Sequence, residues 1–323
     1  MKNSVFTALK HAAAALALVC AAPAHADKYP SHPITMVVPY AHGGITDAYA
    51  RSIGDFLGKY WGTQVIVDNK GGAGTMIGTQ QVSRSKPDGY TMLLTSYAFT
   101  SNPILRKDLN YDPDSFRPVM LLGNSRSMLV VNSQSDFKTL QDFIAKGKEA
   151  PGTLKLASSG NASSPHIAAE LWAKELGITI THVPYRGTAP AMNDLYGGMV
   201  DGIFDGPSSI SNVRSGRLRA LGIAHDGRHP AAPEVPTFKE QGIDLVFGSW
   251  FGFFVPKDTP EPIVKEINTA LNKALQDPKV KTILDGAGLF VSGGTPEEFA
   301  DFLNYESKRL QSLVDGGVKL VVE

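Results

Sequence analysis

The stretch Pro39-Tyr40-Ala41-His42-Gly43-Gly44-Ile45-Thr46-Asp47 combines residue types suited to holding an anion. It follows the apolar run at residues 34–38 and leads into a helical pattern that ends near Trp61. Adjacent glycines let a backbone turn tightly and come close to a ligand. The first N–H groups of a helix lack intrahelical partners and point toward whatever sits there. No nucleophile–base pair or metal cluster stands in the stretch, so its chemistry favours holding an anion over transforming one. The competing reading is an ordinary βα loop in which Thr46 or Asp47 caps the helix.

A second loop of this kind is Ser158-Ser159-Gly160-Asn161-Ala162-Ser163-Ser164-Pro165-His166, which follows the apolar run at residues 154–157. Pro165 suits a first helical turn, where its missing N–H costs nothing. Two such loops facing each other across a cleft would clamp one carboxylate; the alternative is a serine-capped helix and nothing more. Ser96 stands at another strand end and joins the candidates. A third loop, Tyr185-Arg186-Gly187-Thr188, offers a phenol, a guanidinium and a capping hydroxyl. A fourth places Asp205 at the end of a short strand, where a carboxylate repels an acidic ligand unless it meets an amine, a water or backbone donors.

Catalytic readings fall away. Gly72-Ala73-Gly74-Thr75-Met76-Ile77-Gly78 places its last glycine one residue late for a dinucleotide fingerprint, and neither GxxxxGK[ST] nor GxSxG occurs. The histidines outside the N-terminal segment form no ligand pair of recognisable spacing. We therefore expect no catalytic residue, no metal and no cofactor. Among these histidines only His42 is singled out, as a donor to a carboxylate or a ring to stack on an aromatic one.

The N-terminus reads as an export signal. Lys2 and Lys10 precede the apolar residues 12–22, and Ala24-His25-Ala26 supplies a small-x-small cleavage pattern. Cleavage is expected after Ala26, giving a periplasmic protein. The apolar run falls short of the roughly 20 residues that span a bilayer. Cys20, the only cysteine, leaves with the signal; Val19 before it argues against lipidation. The remaining chain has no thiol chemistry, and its length suffices for a core without disulfides. Loss of Lys2 and Lys10 turns a balanced charge slightly acidic, which gives no footing for nucleic acid or an anionic membrane.

These loops must be positioned by strands and helices in alternation. β-rich runs at residues 34–38, 64–67, 91–95, 119–122, 128–131, 154–157, 178–183, 202–204, 218–223 and 251–255 are separated in several places by amphipathic segments. Short continuous apolar strands between helices predict an α/β protein with largely parallel sheets. The length suggests two lobes. We expect residues 27–127 plus 249–323 in lobe 1 and 128–248 in lobe 2, with two crossings forming a hinge.

At this point the residues resemble a known family. Tyr29-Pro30 with Pro33-Ile34, Val38-Pro39-Tyr40 with Gly43-Gly44 and Asp47-Ala48, Pro87-Asp88-Gly89-Tyr90-Thr91, and His182-Val183-Pro184-Tyr185-Arg186-Gly187 with Ala189-Pro190 are similar to the extracytoplasmic solute receptors of tripartite tricarboxylate transporters, the Bug family. The resemblance covers the chain from about Tyr29 onward. It implies a type II periplasmic-binding-protein fold, two α/β lobes joined by a hinge with a ligand cleft between them. It also implies a small organic acid as ligand, integral-membrane transporter subunits as partners, and a monomer in the periplasm. One carboxylate would be gripped by residues 40–47, namely Tyr40, His42, Gly43, Gly44, Ile45, Thr46 and Asp47. The other jaw would be residues 158–164, with Ser158, Ser159, Asn161, Ala162, Ser163 and Ser164. Tyr185, Gly187, Thr188 and Asp205 fall where the family reads the distal end of the ligand. His42 departs from the small residue or proline often found there; with Tyr40, Tyr97 and Phe99 it hints at an aromatic, phthalate- or terephthalate-type diacid, while a C4–C6 aliphatic dicarboxylate stands beside it. A sensory role for the closed form and a periplasmic hydrolase are the alternatives.

Overall fold

The computed structural model describes residues 29–206 and 209–316. The expected export signal, residues 1–26 with its cleavage point after Ala26, lies outside the described residues.

The chain begins its first sheet with β1 (Ile34–Val38), whose Ile34, Met36, Val37 and Val38 are fully buried, as a central strand covered on both faces requires. Helix α1 (Ile45–Trp61) follows and lays Tyr49, Ile53 and Leu57 in the core, four residues apart along one helical face. Gly62, in the left-handed region, ends it. Next come β2 (Val65–Asn69), α2 (Met76–Ser83), β3 (Thr91–Ser96) and α3 (Ala98–Leu105). The long strand β4 (Phe116–Arg126) then passes through Ser127 directly into β5 (Met128–Asn132) of a second sheet.

That second sheet is completed by α4 (Leu140–Glu149), β6 (Lys155–Ser158), α5 (Ser164–Leu176), β7 (Thr181–Pro184), α6 (Thr188–Tyr196), β8 (Gly202–Asp205), α7 (Ile210–Arg214) and β9 (Leu218–Ile223). Its core includes the ring series Phe143, Trp172 and Phe204, with centroids 5.7 and 6.1 Å apart. Each such buried side chain contributes about 1.5–3 kcal/mol of hydrophobic stabilisation. The chain returns through β10 (Gly248–Pro256) and ends with α8 (Glu261–Ala274), α9 (Pro278–Gly286), β11 (Phe290–Gly293) and α10 (Pro296–Asp315).

The sheets have the orders β11-β4-β10-β3-β1-β2 and β7-β6-β8-β5-β9. They are mixed, which corrects the expectation of largely parallel sheets. β1 pairs in parallel with β2 and β3, and β6 with β7 and β8. β10 runs against both β3 and β4, and β5 against β8 and β9. The physical reason is that each sheet receives a strand arriving from the other: β5 enters the second sheet straight from β4, and β10 returns to the first, each running counter to the βαβ strands it joins. The strand β11 had no counterpart among the runs read from the sequence. The two passages between the sheets are bonded to each other, Ser127 N–H donating to Phe247 O at 3.0 Å and Ala224 N–H to Ser127 O at 2.8 Å.

Candidate functional site

The βα loops of both sheets converge on one narrow cavity of ≈ 40 Å³. From the first sheet it receives Tyr40, Gly44, Ile45, Thr46 and Ser96; from the second, Ser159, Ser164, Thr188 and Asp205. All nine were candidates in the sequence. Helix α1 starts two or three residues earlier than the pattern suggested, because its N-cap is Gly44, in extended backbone, rather than Thr46 or Asp47. That start brings the first-turn residues Ile45 and Thr46 to the cavity wall.

Helices α1, α5 and α6 all begin here, with N-caps Gly44, Ser163 and Gly187, and none of the three has a side-chain cap. Away from the cavity, Thr139 and Thr295 close capping boxes on α4 and α10. First-turn amides are left over at the helix starts that face the cavity, which gives it a positive edge made of backbone alone. Among the described residues no Lys, Arg or His lines it, and Asp205 is the one ionisable carboxylate that does. Asp205 is buried and accepts a hydrogen bond from Ser209 Oγ at 2.6 Å. Tyr40 donates to or accepts from Ser96 Oγ at 2.6 Å, and burial pushes its phenol up to about 12, so it stays neutral. Tyr49 is driven up as well, first by burial and then by the charge of Asp205.

The other candidates sit elsewhere. His42 is exposed and absent from the cavity wall. Tyr97 and Phe99 pack into the core, against Phe247 at 5.2 Å and Phe254 at 4.1 Å. The aromatic argument rested on His42 with Tyr40, Tyr97 and Phe99, and of these four only Tyr40 lines the cavity. Gly43 N–H, expected to face a ligand, donates instead to Asp47 Oδ2 at 2.9 Å. Asp47 is an internal brace: burial raises its carboxyl, but hydrogen bonds from Arg51 and Gly43 and the charge of Arg51 outweigh this and hold it below the usual range.

In the serine loop, Ser158, Ala162 and Ser163 lie buried behind the wall. Ser158 Oγ meets His182 Nε2 at 2.6 Å, the spacing of a nucleophile and a base. Because Ser158 is fully buried and outside the cavity, this contact shapes the loop and presents no nucleophile. Asn161 and Tyr185 line a neighbouring cavity, and Tyr185 Oη donates to Asp194 Oδ2 at 2.5 Å. Gly187 serves as the N-cap of α6, behind Thr188.

Sequence reasoning missed Ser125, Ser127 and Ser249 at the strand crossings, and the rings of Tyr49, Phe204 and Phe251. Tyr49 and Phe251 meet edge to face at 5.1 Å. The one hint was Ser125-Arg126-Ser127 at the junction of two strand-like runs, a pattern that an ordinary turn shares.

Two sheets joined by two crossings, with helix N-termini of both at the cleft, define the bilobed type II class of periplasmic binding proteins. The family model of the tripartite tricarboxylate transporter family receptor matches residues 49–317, and the chain belongs to that family. The protein is 38% identical over 294 residues to the UPF0065 protein of the tcbD-tcbE intergenic region of a Pseudomonas species, covering 89% of this chain and 87% of that one. Among solved structures it is similar to MatC of Rhodopseudomonas palustris with bound malate, at TM-score 0.84 and 32% identity over 88% of this chain and 100% of that one. It is also similar to an R. palustris protein with adipate, at TM-score 0.84 and 29% identity over 89% and 97% of the two chains. Membership makes it a periplasmic solute receptor that works with membrane transport subunits.

Proposed function

We propose that this receptor closes on a small organic acid and holds one carboxylate against the first turns of α1 and α5. The observation that carries the reading is the convergence of helix starts without side-chain caps on a cavity with no cationic side chain. A carboxylate there accepts hydrogen bonds from backbone amides and from the hydroxyls of Ser96, Ser159 and Ser164, and needs no guanidinium. Thr188, Asp205 and the rings of Tyr49, Phe204 and Phe251 meet the distal part. The narrowness of the cavity favours a compact acid of the C4–C6 size, and the malate and adipate of the related structures fall in that range. Aromatic acids of phthalate type remain in the ligand class, since four rings, Tyr40, Tyr49, Phe204 and Phe251, line the wall.

Lobe 1 is assigned to residues 27–127 plus 249–323 and lobe 2 to 128–248, with the Ser127–Phe247–Ala224 bonds at the hinge. The exported form begins after Ala26 and works as a monomer that presents its closed shape to the integral-membrane subunits. A thermal-shift screen of aliphatic and aromatic acids tests the reading. Malate, adipate or phthalate should raise the midpoint in proportion to the logarithm of concentration. A flat response to every carboxylate, with a shift from neutral sugars or cations instead, would overturn it.

A further inference from the structure

A second pocket lies at the strand crossing, and its chemistry is the reverse of the cleft's. The cleft has a carboxylate and no cation; this pocket has the guanidiniums of Arg126 and Arg309 and the imidazole of His225, and no carboxylate in its lining. Ser125 belongs to both linings, so the two cavities share one stretch of β4. We propose that this pocket is a second anion site, which takes a small oxyanion such as phosphate or a carboxylate against Arg126 and Arg309.

Arg126 stacks on the ring of Phe290 at 4.4 Å, and its Nη1 donates to the carbonyls of Gly227 and Arg228, both at 3.2 Å. Among the described residues no carboxylate lies within 4.0 Å of it. A partly desolvated guanidinium held by two carbonyls and one ring keeps donors for an acceptor. Arg309 is held over the ring of Phe247 at 5.7 Å, with Nη2 on Val246 O at 3.0 Å. Glu306, 3.3 Å from Arg309, offsets one of the two charges; Asp226, itself paired with Lys239 at 3.0 Å, acts on Arg126 only through its field, without an ion-pair contact. His225 accepts from Gly227 N–H through Nδ1, which leaves Nε2 as the protonated, donating atom of the neutral ring. The rigid guanidinium planes, the imidazole N–H and the absence of acceptor side chains of like charge suit an oxyanion and exclude a cation.

The test is a calorimetric titration of the full exported protein with inorganic phosphate at constant ionic strength, with an acetate titration beside it. Saturable binding is expected, weakened at least tenfold by Arg126→Gln and by Arg309→Gln, with circular dichroism checking the fold. Should Arg126→Gln fail to fold, Arg309→Gln decides alone. Saturation by acetate as well as phosphate supports a general oxyanion site, and saturation by phosphate alone a tetrahedral one. Non-saturable heats from both anions, equal affinity in the folded variants, or displacement of the anion by an organic acid bound in the cleft would each overturn the proposal. Failure of the cleft reading would show separately, as loss of organic-acid binding with the phosphate response intact.

Discussion

The imidazoles of His166 and His182 stack with centroids 3.8 Å apart and planes within 10°, directly behind the serine loop of the cleft. His182 Nε2 holds Ser158 Oγ, and His166 Nδ1 accepts the N–H of Ala162, a non-glycine residue held at φ +60°. Burial pushes His182 down to about 4, and burial with the charge of His182 pushes His166 down to about 3. Glu170, 3.8 Å from His166, is itself raised by burial and does little to offset this. Both folded values lie below the ordinary 6.5 of an unfolded histidine, so the unfolded chain binds more protons over that window. Stability is therefore fully present above about pH 6.5 and is lost as pH falls toward 4, with a slope of up to about 1.4 kcal/mol per pH unit for each histidine. Urea unfolding at several pH values should show that slope, and His182→Asn should roughly halve it. The same slope in wild type and variant would refute the assignment.

Asp205 is expected to set the preference at the distal end of a bound acid. It brings a negative charge into a cavity whose only positive features are backbone dipoles. In Asp205→Asn, dianionic acids such as malate and adipate should bind several-fold tighter, because a like charge at close range is removed. An acid with a distal ammonium should bind more weakly in the same variant. Calorimetry on the three ligands reads both changes, and a uniform loss across them would show that Asp205 only supports the fold.

Much of this site was legible from local pattern. Gly44, Thr46 and Ser159 stood at the ends of apolar runs, and a strand end followed by a helix start is determined within a few residues of sequence. Ser125, Ser249 and Phe251 were not legible, because they reach the cavity through pairing of β4 with β10, strands more than a hundred residues apart in the chain. His42 misled for the opposite reason. Its place beside the glycines was a local signal of ligand contact, but the residue stands exposed and off the cavity wall, and local pattern does not say which side of a loop faces the cavity. The mixed direction of the sheets was hidden likewise, since nothing local marks Ser127 as a crossing rather than a turn.

Replacing His42 by Ala should accordingly leave affinity for aliphatic and aromatic acids alike within about twofold, the range of an exposed surface change. A selective loss for an aromatic diacid, measured by calorimetry, would return His42 to the site.

Gly187 tests how the two jaws meet. Ala41 N–H, in the first sheet's loop, donates to Arg186 O of the second at 2.9 Å, and Ser101 Oγ donates to Ala162 O across the same gap. A Cβ on Gly187 would stand 3.0 Å from Ala41 N, and the residue's φ of +142° is one that L side chains rarely adopt. Gly187→Ala should therefore strain the backbone and also hold the loops apart where they touch. Gly62→Ala is the matched control: its φ of +70° is strained too, but no atom lies within 4 Å of the added carbon. Both variants should lose about 1 kcal/mol of stability or more from the positive φ. Only Gly187→Ala should also weaken binding, by tenfold or more, because the closed arrangement that grips the ligand is the one it obstructs. Small-angle scattering at saturating ligand should find Gly187→Ala more extended than wild type and Gly62→Ala unchanged. Equal affinities in the two variants would mean that the Ala41–Arg186 contact is not part of the grip.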